Sequence, residues 1–189
     1  QSTGFPVQVP CRCRCQPRRT RSTETICPVT PPNTAITAAS CGSTPHTQIA
    51  IATIDGHVYD VGDSQAPFTI QSVSKAFVFA LALEMLGAEQ VEEFVGVEPS
   101  GEAFNSIRLN AKNQPFNPMV NAGAIACTGL IYRMKDAGAF EAIHDMLGRF
   151  AGRRLAVDEA VHASESATGD RNRAIGWMLR NYGIVKDDV

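Results

Sequence analysis

The sequence predicts an α+β fold in which a pair of antiparallel strands is followed by a series of helices. Residues alternate between apolar and polar character on both sides of Asp55-Gly56, which is a strong signal for a two-residue hairpin turn. Beyond residue 70, apolar residues recur instead in runs of helical length that end at glycine. With 189 residues, of which 44% are hydrophobic, the chain is long enough to bury the core of one domain.

Composition excludes several classes of protein. A net charge of −2 argues against a nucleic-acid binder that works by broad phosphate neutralisation. Apolar runs stay below the roughly 18 residues of a membrane span. The sequence has no triplet, heptad or longer repeat, which excludes collagen, coiled coils and repeat proteins.

The first 46 residues differ in composition from the rest. Residues 1–50 contain five arginines, a single glutamate and seven of the 11 prolines. A segment with so little hydrophobic periodicity cannot offset the entropy lost on ordering. We therefore predict that residues 1–46 are disordered or poorly packed and that residues 47–189 are the folded domain. The segment is rich in arginine and poor in acids, which leaves a transit peptide open. Its closely spaced cysteines lack zinc-site spacing, which favours a reduced, unstructured run.

Local patterns place the first elements of the folded part. Thr47–Ile54 and His57–Val61 are predicted as strands on either side of the turn. Ser72–Leu86 is predicted as a helix of about four turns with Gly87 at its C-terminal cap. Because Ala76–Leu83 leaves almost no polar face, we expect this helix to be central and buried.

Helices also dominate the remainder. Four more are predicted, over residues 88–95, 121–136, 140–149 and 171–182. Residues 104–120 are predicted as a loop, because Pro115 and Pro118 interrupt helical structure. The helix over 121–136 is rich in small residues, which permit close helix packing or close approach of a ligand. The four histidines show no paired spacing, which favours surface or loop positions for them.

A Ser-x-x-Lys motif lies at the start of the predicted buried helix. Ser72 and Lys75 are three residues apart and would lie on one helical face, so the lysine amine can reach the serine hydroxyl. A serine is a weak nucleophile until a base takes its proton, and a lysine is such a base only when burial lowers its pKa. The helix N-terminus also favours developing negative charge. The motif alone leaves open that Ser72 caps the helix and Lys75 extends to solvent.

Long, ordered runs resemble the serine-dependent glutaminase family over about residues 47–189. The runs are Gly62-Asp63, Phe68–Lys75, Val95–Gly101, Phe104–Ser106, Pro115–Ile125, Ser164-Glu165 and Thr168–Asn172. The resemblance implies a β-lactamase-like α+β fold, in which an antiparallel sheet packs against a helical subdomain and only the N-terminal hairpin of the sheet is present here. It also implies hydrolysis of L-glutamine to L-glutamate and ammonia.

The same resemblance implies roles for five residues. Ser72 matches the nucleophile of the family, and Lys75 matches the base that activates it. Asn121, Glu165 and Asn172 match residues that, with Ser72, bind the substrate. A carboxylate can accept from the substrate ammonium, and amides can bond both substrate ends without net charge. Without the resemblance, Asn121 would be interpreted as a helix N-cap, Glu165 as a surface charge and Asn172 as a polar residue of a first helical turn.

The resemblance further implies an enzyme without metal or cofactor, with L-glutamine as its small-molecule partner and without nucleic-acid or membrane partners. A cytoplasmic homo-oligomer is expected, since the family is often tetrameric. Two alternatives remain: a β-lactamase-like serine hydrolase, which shares the Ser-x-x-Lys logic, and a catalytically inactive glutaminase fragment.

We expect the chain to be a fragment of a glutaminase joined to an unrelated N-terminal segment. The family domain continues beyond residue 189 with a Lys-Ser-Gly-containing strand and further tyrosines. The three tyrosines here, Tyr59, Tyr132 and Tyr182, match none of the family contexts and are interpreted as packing or surface residues. The chain alone is therefore expected to be a poor glutaminase.

Overall fold

The computed structural model describes residues 7–8, 35–39 and 48–186. These form two compact units, one with residues 70–186 and Val7–Gln8, the other with residues 35–39 and 48–69. The strands are β1 (Val7–Gln8), β2 (Ala35–Ala39), β3 (Gln48–Ala52), β4 (Val58–Gly62) and β5 (Ala156–Val157). The helices are α1 (Ser74–Leu86), α2 (Ala88–Glu92), α3 (Asn121–Lys135), α4 (Ala139–Phe150), α5 (Glu159–Ala167) and α6 (Asp170–Asn181). Two 3₁₀ turns cover Gln71–Val73 and Asp136–Gly138.

The smaller unit contains an antiparallel sheet with the strand order β2-β3-β4. Strands β3 and β4 form the predicted hairpin, in which Ala52 lies opposite Val58. Gly56 in its turn has a φ of +85°, the left-handed conformation that the Asp-Gly pair favours. The hairpin prediction is therefore confirmed.

Strand β2 corrects the expectation that only a hairpin of the sheet is present. It pairs antiparallel with β3, with Ala35 opposite Ala52, although it lies in the segment predicted to be disordered or poorly packed. The short run Ala35–Ala39 gains its backbone hydrogen bonds from a neighbouring strand, which the composition of its flanks does not reveal. Within residues 1–46, the structure describes only Val7–Gln8 and Ala35–Ala39. The division at residue 47 therefore stays a prediction.

Helix α1 begins two residues later than predicted, at Ser74, because Gln71–Val73 forms a 3₁₀ turn. It ends where expected. Gly87 has a φ of +82°, and its N–H donates to Leu83 O at 2.9 Å. Glycine adopts this left-handed conformation without steric cost, which ends the helix at that residue.

Helix α1 buries apolar side chains where it packs against α3 and α4. Val78, Leu81 and Ala82 are buried there. Ala76 and Ala80 are exposed. The helix is therefore central, as predicted, but it is not covered on every side by the described residues.

Helix α3 confirms that small residues permit close packing, since it packs against both α1 and α6. Ala122, Ala126 and Leu130 are completely buried. A Cβ atom at Gly123 would lie 1.9 Å from the carbonyl oxygen of Asn117. The loop before α3 can therefore cross the helix only at a residue without a side chain.

The later helices complete the core of the larger unit. Helix α4 is amphipathic as predicted and buries Ile143 and Leu147, while α6 packs Ile175 and Leu179 against α3. His144 is a correction to the expectation for histidines, because it is 5% exposed and its Nε2 lies 2.9 Å from Leu155 O. It lies on the apolar face of α4, which buries it.

Helix α5 is absent from the predicted elements. The Asp158 carboxylate caps it by accepting from the backbone N–H groups of Ala160 and Val161, each at 3.1 Å. Its Ala- and Ser-rich sequence has little apolar periodicity, and none of its residues is fully buried. Within the described residues, no helix combines the length and apolar character needed to cross a membrane.

Replacing Gly123 by alanine is expected to destabilise the protein, because the new Cβ would overlap a backbone carbonyl that cannot rotate away. Overpacking of this kind lowers the free energy of unfolding by about 1–3 kcal/mol. Urea denaturation of the full-length protein measures the change. Gly138→Ala is the matched control, since Gly138 has a φ of −83° and nothing lies within 4 Å of its Cβ position. Equal stability of the two variants would contradict the prediction.

Candidate active site

A cavity of about 200 Å³ opens in the larger unit. The five residues predicted to form the site all line it: Ser72, Lys75, Asn121, Glu165 and Asn172. The remaining lining residues are Gln71, Ser74, Val78, Phe104, Ala124, Ile125 and Thr128. The cavity is smaller than the sites of drug-sized ligands, about 300–1,000 Å³. Its size suits a small polar molecule such as an amino acid.

Lys75 extends from the first turn of α1 to the start of α3. Its Nζ donates to Asn121 Oδ1 at 2.7 Å and to Met119 O at 3.2 Å, and it lies 5.5 Å from the ring centroid of Phe104. Burial lowers the pKa of Lys75 from its ordinary value, because desolvation disfavours the ammonium form. Both hydrogen-bond acceptors are uncharged, so neither stabilises the ammonium as a carboxylate would. Lys75 therefore loses its proton more readily than a surface lysine.

Asn121 connects Lys75 to α6. Its Oδ1 accepts from Lys75, and its Nδ2 donates to Asn172 Oδ1 at 3.2 Å. This pattern defines the orientation of both amides, since the Asn172 oxygen is the acceptor and its NH₂ group remains as a donor. The position of Asn121 is itself defined, because its backbone N–H donates to Phe104 O at 2.8 Å. The cavity thus contains an ordered row of amine and amide groups.

Ser72 is exposed at the cavity, in the 3₁₀ turn before α1. The preceding residue, Gln71, has a φ of +42°, which is uncommon for a residue other than glycine. The contact expected between Ser72 and Lys75 is not formed: within the described chain, the lysine amine bonds to Asn121 and Met119 instead. The amine instead meets acceptors at the start of α3 and in the loop before it, which the spacing of the motif does not reveal.

Glu165 is the acidic residue among the described residues that line the cavity. It is half-buried on α5, and no described lysine, arginine or histidine forms an ion pair with it. An unpaired carboxylate in a small cavity is an acceptor for a cationic group of a ligand. Together with Lys75 and the two amides, it makes the cavity suitable for a zwitterion.

Sequence reasoning missed four of the polar or aromatic lining residues, including Thr128, whose hydroxyl donates to Ala124 O within α3. Gln71 and Ser74 flank Ser72 in the motif, but only the structure shows that they face the same cavity. Phe104 comes from the loop before α3, 29 positions beyond Lys75 along the sequence, and its ring lies beside the lysine amine. The run Phe104–Ser106 was the one available signal, since it belongs to the family resemblance.

Other reactive groups among the described residues do not join this site. Burial raises the pKa of the Cys127 thiol to about 12, so it is protonated at neutral pH and is not a nucleophile. Glu141, His144 and Asp145 on α4 are close enough to share a metal ion. The Arg154 guanidinium, however, already contacts Glu141 at 3.1 Å and Asp145 at 3.6 Å. Arg154 thus offsets part of the negative charge of this cluster, and the cluster does not line the cavity.

Comparison with known proteins identifies relatives of this chain. The family model described as Glutaminase matches residues 36–189. Glutaminase 2 of Bradyrhizobium diazoefficiens is 71% identical over 144 residues, which cover 76% of this chain and 23% of the relative. The glutaminase of Microcystis aeruginosa is 51% identical over 142 residues, which cover 75% of this chain and 42% of the relative. The chain thus spans between about a quarter and less than half of these relatives.

Solved structures agree with this result. A Bacillus glutaminase crystallised in 4.3 M NaCl aligns with a TM-score of 0.71 at 33% identity, covering 76% of this chain and 49% of that structure. The protein Mglu in its glutamate form aligns with a TM-score of 0.70 at 40% identity, covering 76% of this chain and 34% of that structure. The predicted α+β, β-lactamase-like fold is confirmed by this likeness. The family match begins within β2, upstream of the predicted division at residue 47.

Replacing Asn121 by aspartate is expected to raise the pKa of Lys75, because a carboxylate would then lie 2.7 Å from the amine. An opposite charge at this range shifts a pKa by about 1–3 units. NMR titration of the lysine ¹³Cε signals in the full-length protein measures the change. Asn121→Ala is the control: it removes the acceptor without adding charge, so it is not expected to raise the pKa. Shifts of the same sign and size in both variants would contradict the prediction.

Proposed function

This chain belongs to the glutaminase family, and we propose that the protein hydrolyses L-glutamine to L-glutamate and ammonia, with Ser72 as the nucleophile and Lys75 as its base. The observation that carries the proposal is that Ser72, Lys75, Asn121, Glu165 and Asn172 line one small cavity. The cavity combines a hydroxyl, an amine with a lowered pKa, a carboxylate and two amides. These are the groups that attack on an amide and recognition of an α-amino acid require.

Binding places the two charged groups on the α-carbon of glutamine against complementary groups of the cavity. The Glu165 carboxylate accepts from the α-ammonium group. The Asn172 NH₂ group, whose orientation follows from the bond between Asn121 and Asn172 Oδ1, donates to the α-carboxylate. The substrate side chain then extends to Ser72. Recognition of both charged groups fixes the distance from the α-carbon to Ser72. This distance favours a substrate whose side chain has the length of glutamine.

Attack on the carboxamide requires a neutral amine at Lys75. A neutral lysine amine has two N–H groups and one lone pair, and the N–H groups are occupied by Met119 O and Asn121 Oδ1. The lone pair is left for Ser72: when substrate binds, the serine hydroxyl turns toward the amine, which takes its proton as the serine oxygen attacks the carboxamide carbon. The lowered pKa of Lys75 supports this role, since it enlarges the neutral fraction at any given pH. Activity is expected to rise with pH as Lys75 loses its proton.

The reaction is completed in two further steps. The tetrahedral intermediate collapses, the C–N bond breaks, and Lys75 returns its proton to the departing ammonia. This leaves a glutamyl ester on Ser72. A water molecule then attacks the ester carbonyl with Lys75 again as base, and L-glutamate is released as the serine recovers its proton. Proton transfer by one positioned group contributes about 100- to 10,000-fold to rate.

A β-lactamase-like hydrolase was the alternative that the Ser-x-x-Lys motif left open. The family match and the curated relatives favour glutamine instead. Ammonia release from glutamine, measured beside hydrolysis of nitrocefin, separates the two activities. Turnover of nitrocefin without turnover of glutamine would overturn the proposal.

We retain the homo-oligomer and the cytoplasmic location as part of the proposal. The oligomer is supported by membership of the family, which is often tetrameric, and the location rests on the family resemblance alone. Light scattering on the purified full-length protein measures the assembly, and cell fractionation measures the location. A monomer at catalytic concentrations would reject the first.

Replacing Ser72 by alanine is expected to abolish ammonia release from glutamine in the full-length protein. The reason is that the alanine side chain cannot form the glutamyl ester. Ser64→Ala is the matched control, since Ser64 lies in the smaller unit and its hydroxyl bonds to Asp60. Retention of more than about a tenth of the wild-type kcat by the Ser72 variant would remove Ser72 from the nucleophile role.

Replacing Glu165 by glutamine is expected to weaken substrate capture, because the α-ammonium loses its charged acceptor. Loss of one charge-assisted hydrogen bond costs about 1.5–3 kcal/mol, or roughly 10- to 150-fold in kcat/KM. Steady-state kinetics at varied glutamine concentrations measure it. Glu159→Gln on the same helix is the control, since Glu159 is exposed and does not line the cavity. Equal kcat/KM values for the two variants would return Glu165 to the role of a surface charge.

A further inference from the structure

Ser74 occupies an unusual position between the two residues of the Ser-x-x-Lys motif. The residue is only 8% exposed, and its hydroxyl donates to the carbonyl oxygen of Gln71 at 2.7 Å. The same carbonyl also accepts the backbone N–H of Ser74. Two hydrogen bonds therefore join the first residue of α1 to the residue directly before Ser72.

The acceptor of these bonds has a strained backbone. Gln71 has a φ of +42°, in the left-handed region that residues with a Cβ rarely adopt. Such a conformation persists only where the surrounding structure holds it, and it occurs preferentially at functional sites. Bonds from a serine hydroxyl to a carbonyl three residues earlier are common within regular helices. Here, however, the acceptor precedes the helix and lies in a 3₁₀ turn.

We propose that Ser74 is a positioning residue whose buried hydroxyl holds Gln71 in its left-handed conformation and thereby places Ser72 for attack. The inference rests on the proposed function, since it assigns a role to a neighbour of the proposed nucleophile. Because Ser72 follows Gln71 directly, a return of Gln71 to a right-handed conformation would redirect the Cα–Cβ bond of Ser72. A misplacement of about 1 Å can cost on the order of 100-fold in rate.

The experiment compares three substitutions of Ser74 in the full-length protein. Ser74→Ala removes the hydroxyl, Ser74→Cys keeps the size with a weak donor, and Ser74→Thr keeps a hydroxyl that can bond to the same carbonyl. Thr168→Val is the matched control, because Thr168 Oγ1 makes a similar bond to Ser164 O at 3.0 Å at the exposed end of α5. For each variant, kcat, KM and the melting temperature are measured.

We expect Ser74→Ala to lower kcat by about 10- to 100-fold. KM should change little, because Glu165 and Asn172, which bind the α-ammonium and the α-carboxylate of the substrate, are unchanged. The melting temperature should fall by about 2–8 °C, as for the loss of one hydrogen bond. Ser74→Thr should keep most of the wild-type kcat. Thr168→Val should leave kcat unchanged, and its only expected effect is a lower melting temperature.

Two results would overturn the inference. One is a Ser74→Ala protein with a lowered melting temperature and unchanged kcat, which assigns Ser74 to stability alone. The other is an equal kcat in the Ser74→Cys and Ser74→Thr variants, which would exclude a role for the strongly donating hydroxyl. This comparison decides the case if the alanine variant fails to fold. Ser72→Ala is measured in parallel. If that variant stays active, the proposed function itself fails, whereas an inactive Ser72→Ala with normal Ser74 variants rejects only the inference.

Discussion

Close packing of α1 against α3 is the constraint on which the candidate site depends. Lys75 on α1 lies 2.7 Å from Asn121 on α3 because small side chains line the interface between the helices. Gly123, two residues beyond Asn121, permits a second close approach, that of the preceding loop at Asn117. From Asn121 a second hydrogen bond continues to Asn172 on α6. Three helices that are distant in sequence are thus joined through one row of polar groups that lines the cavity.

The same packing partly removes the Lys75 amine from water. The acceptors of the Lys75 amine, Met119 O and Asn121 Oδ1, are uncharged and supply no counter-charge. Partial burial disfavours the ammonium form, so the pKa of Lys75 is lowered from its ordinary value. Glu165 lines the same cavity and is, like Lys75, half-buried. The cavity therefore contains an amine with a lowered pKa from α1 and a carboxylate from α5.

Local sequence predicted those elements whose signals lie within a few residues. The hairpin around Asp55-Gly56 and the end of α1 at Gly87 are correct because glycine adopts left-handed conformations without steric cost. Strand β2 was missed because its pairing with β3 is a contact with another part of the chain. Helix α5 was missed because it has weak apolar periodicity and depends on the Asp158 cap.

The sequence by itself determined the family, the order of most elements and the residue types that line the cavity, since all of these follow from motifs and short-range periodicity. Only the tertiary structure decided which groups touch. Spacing along a helix paired Lys75 with Ser72, whereas the folded chain pairs Lys75 with Asn121, 46 residues away. The reason is physical: the acceptor at the start of α3 reaches Lys75 through packing of α1 against α3, and no window of neighbouring residues contains that information.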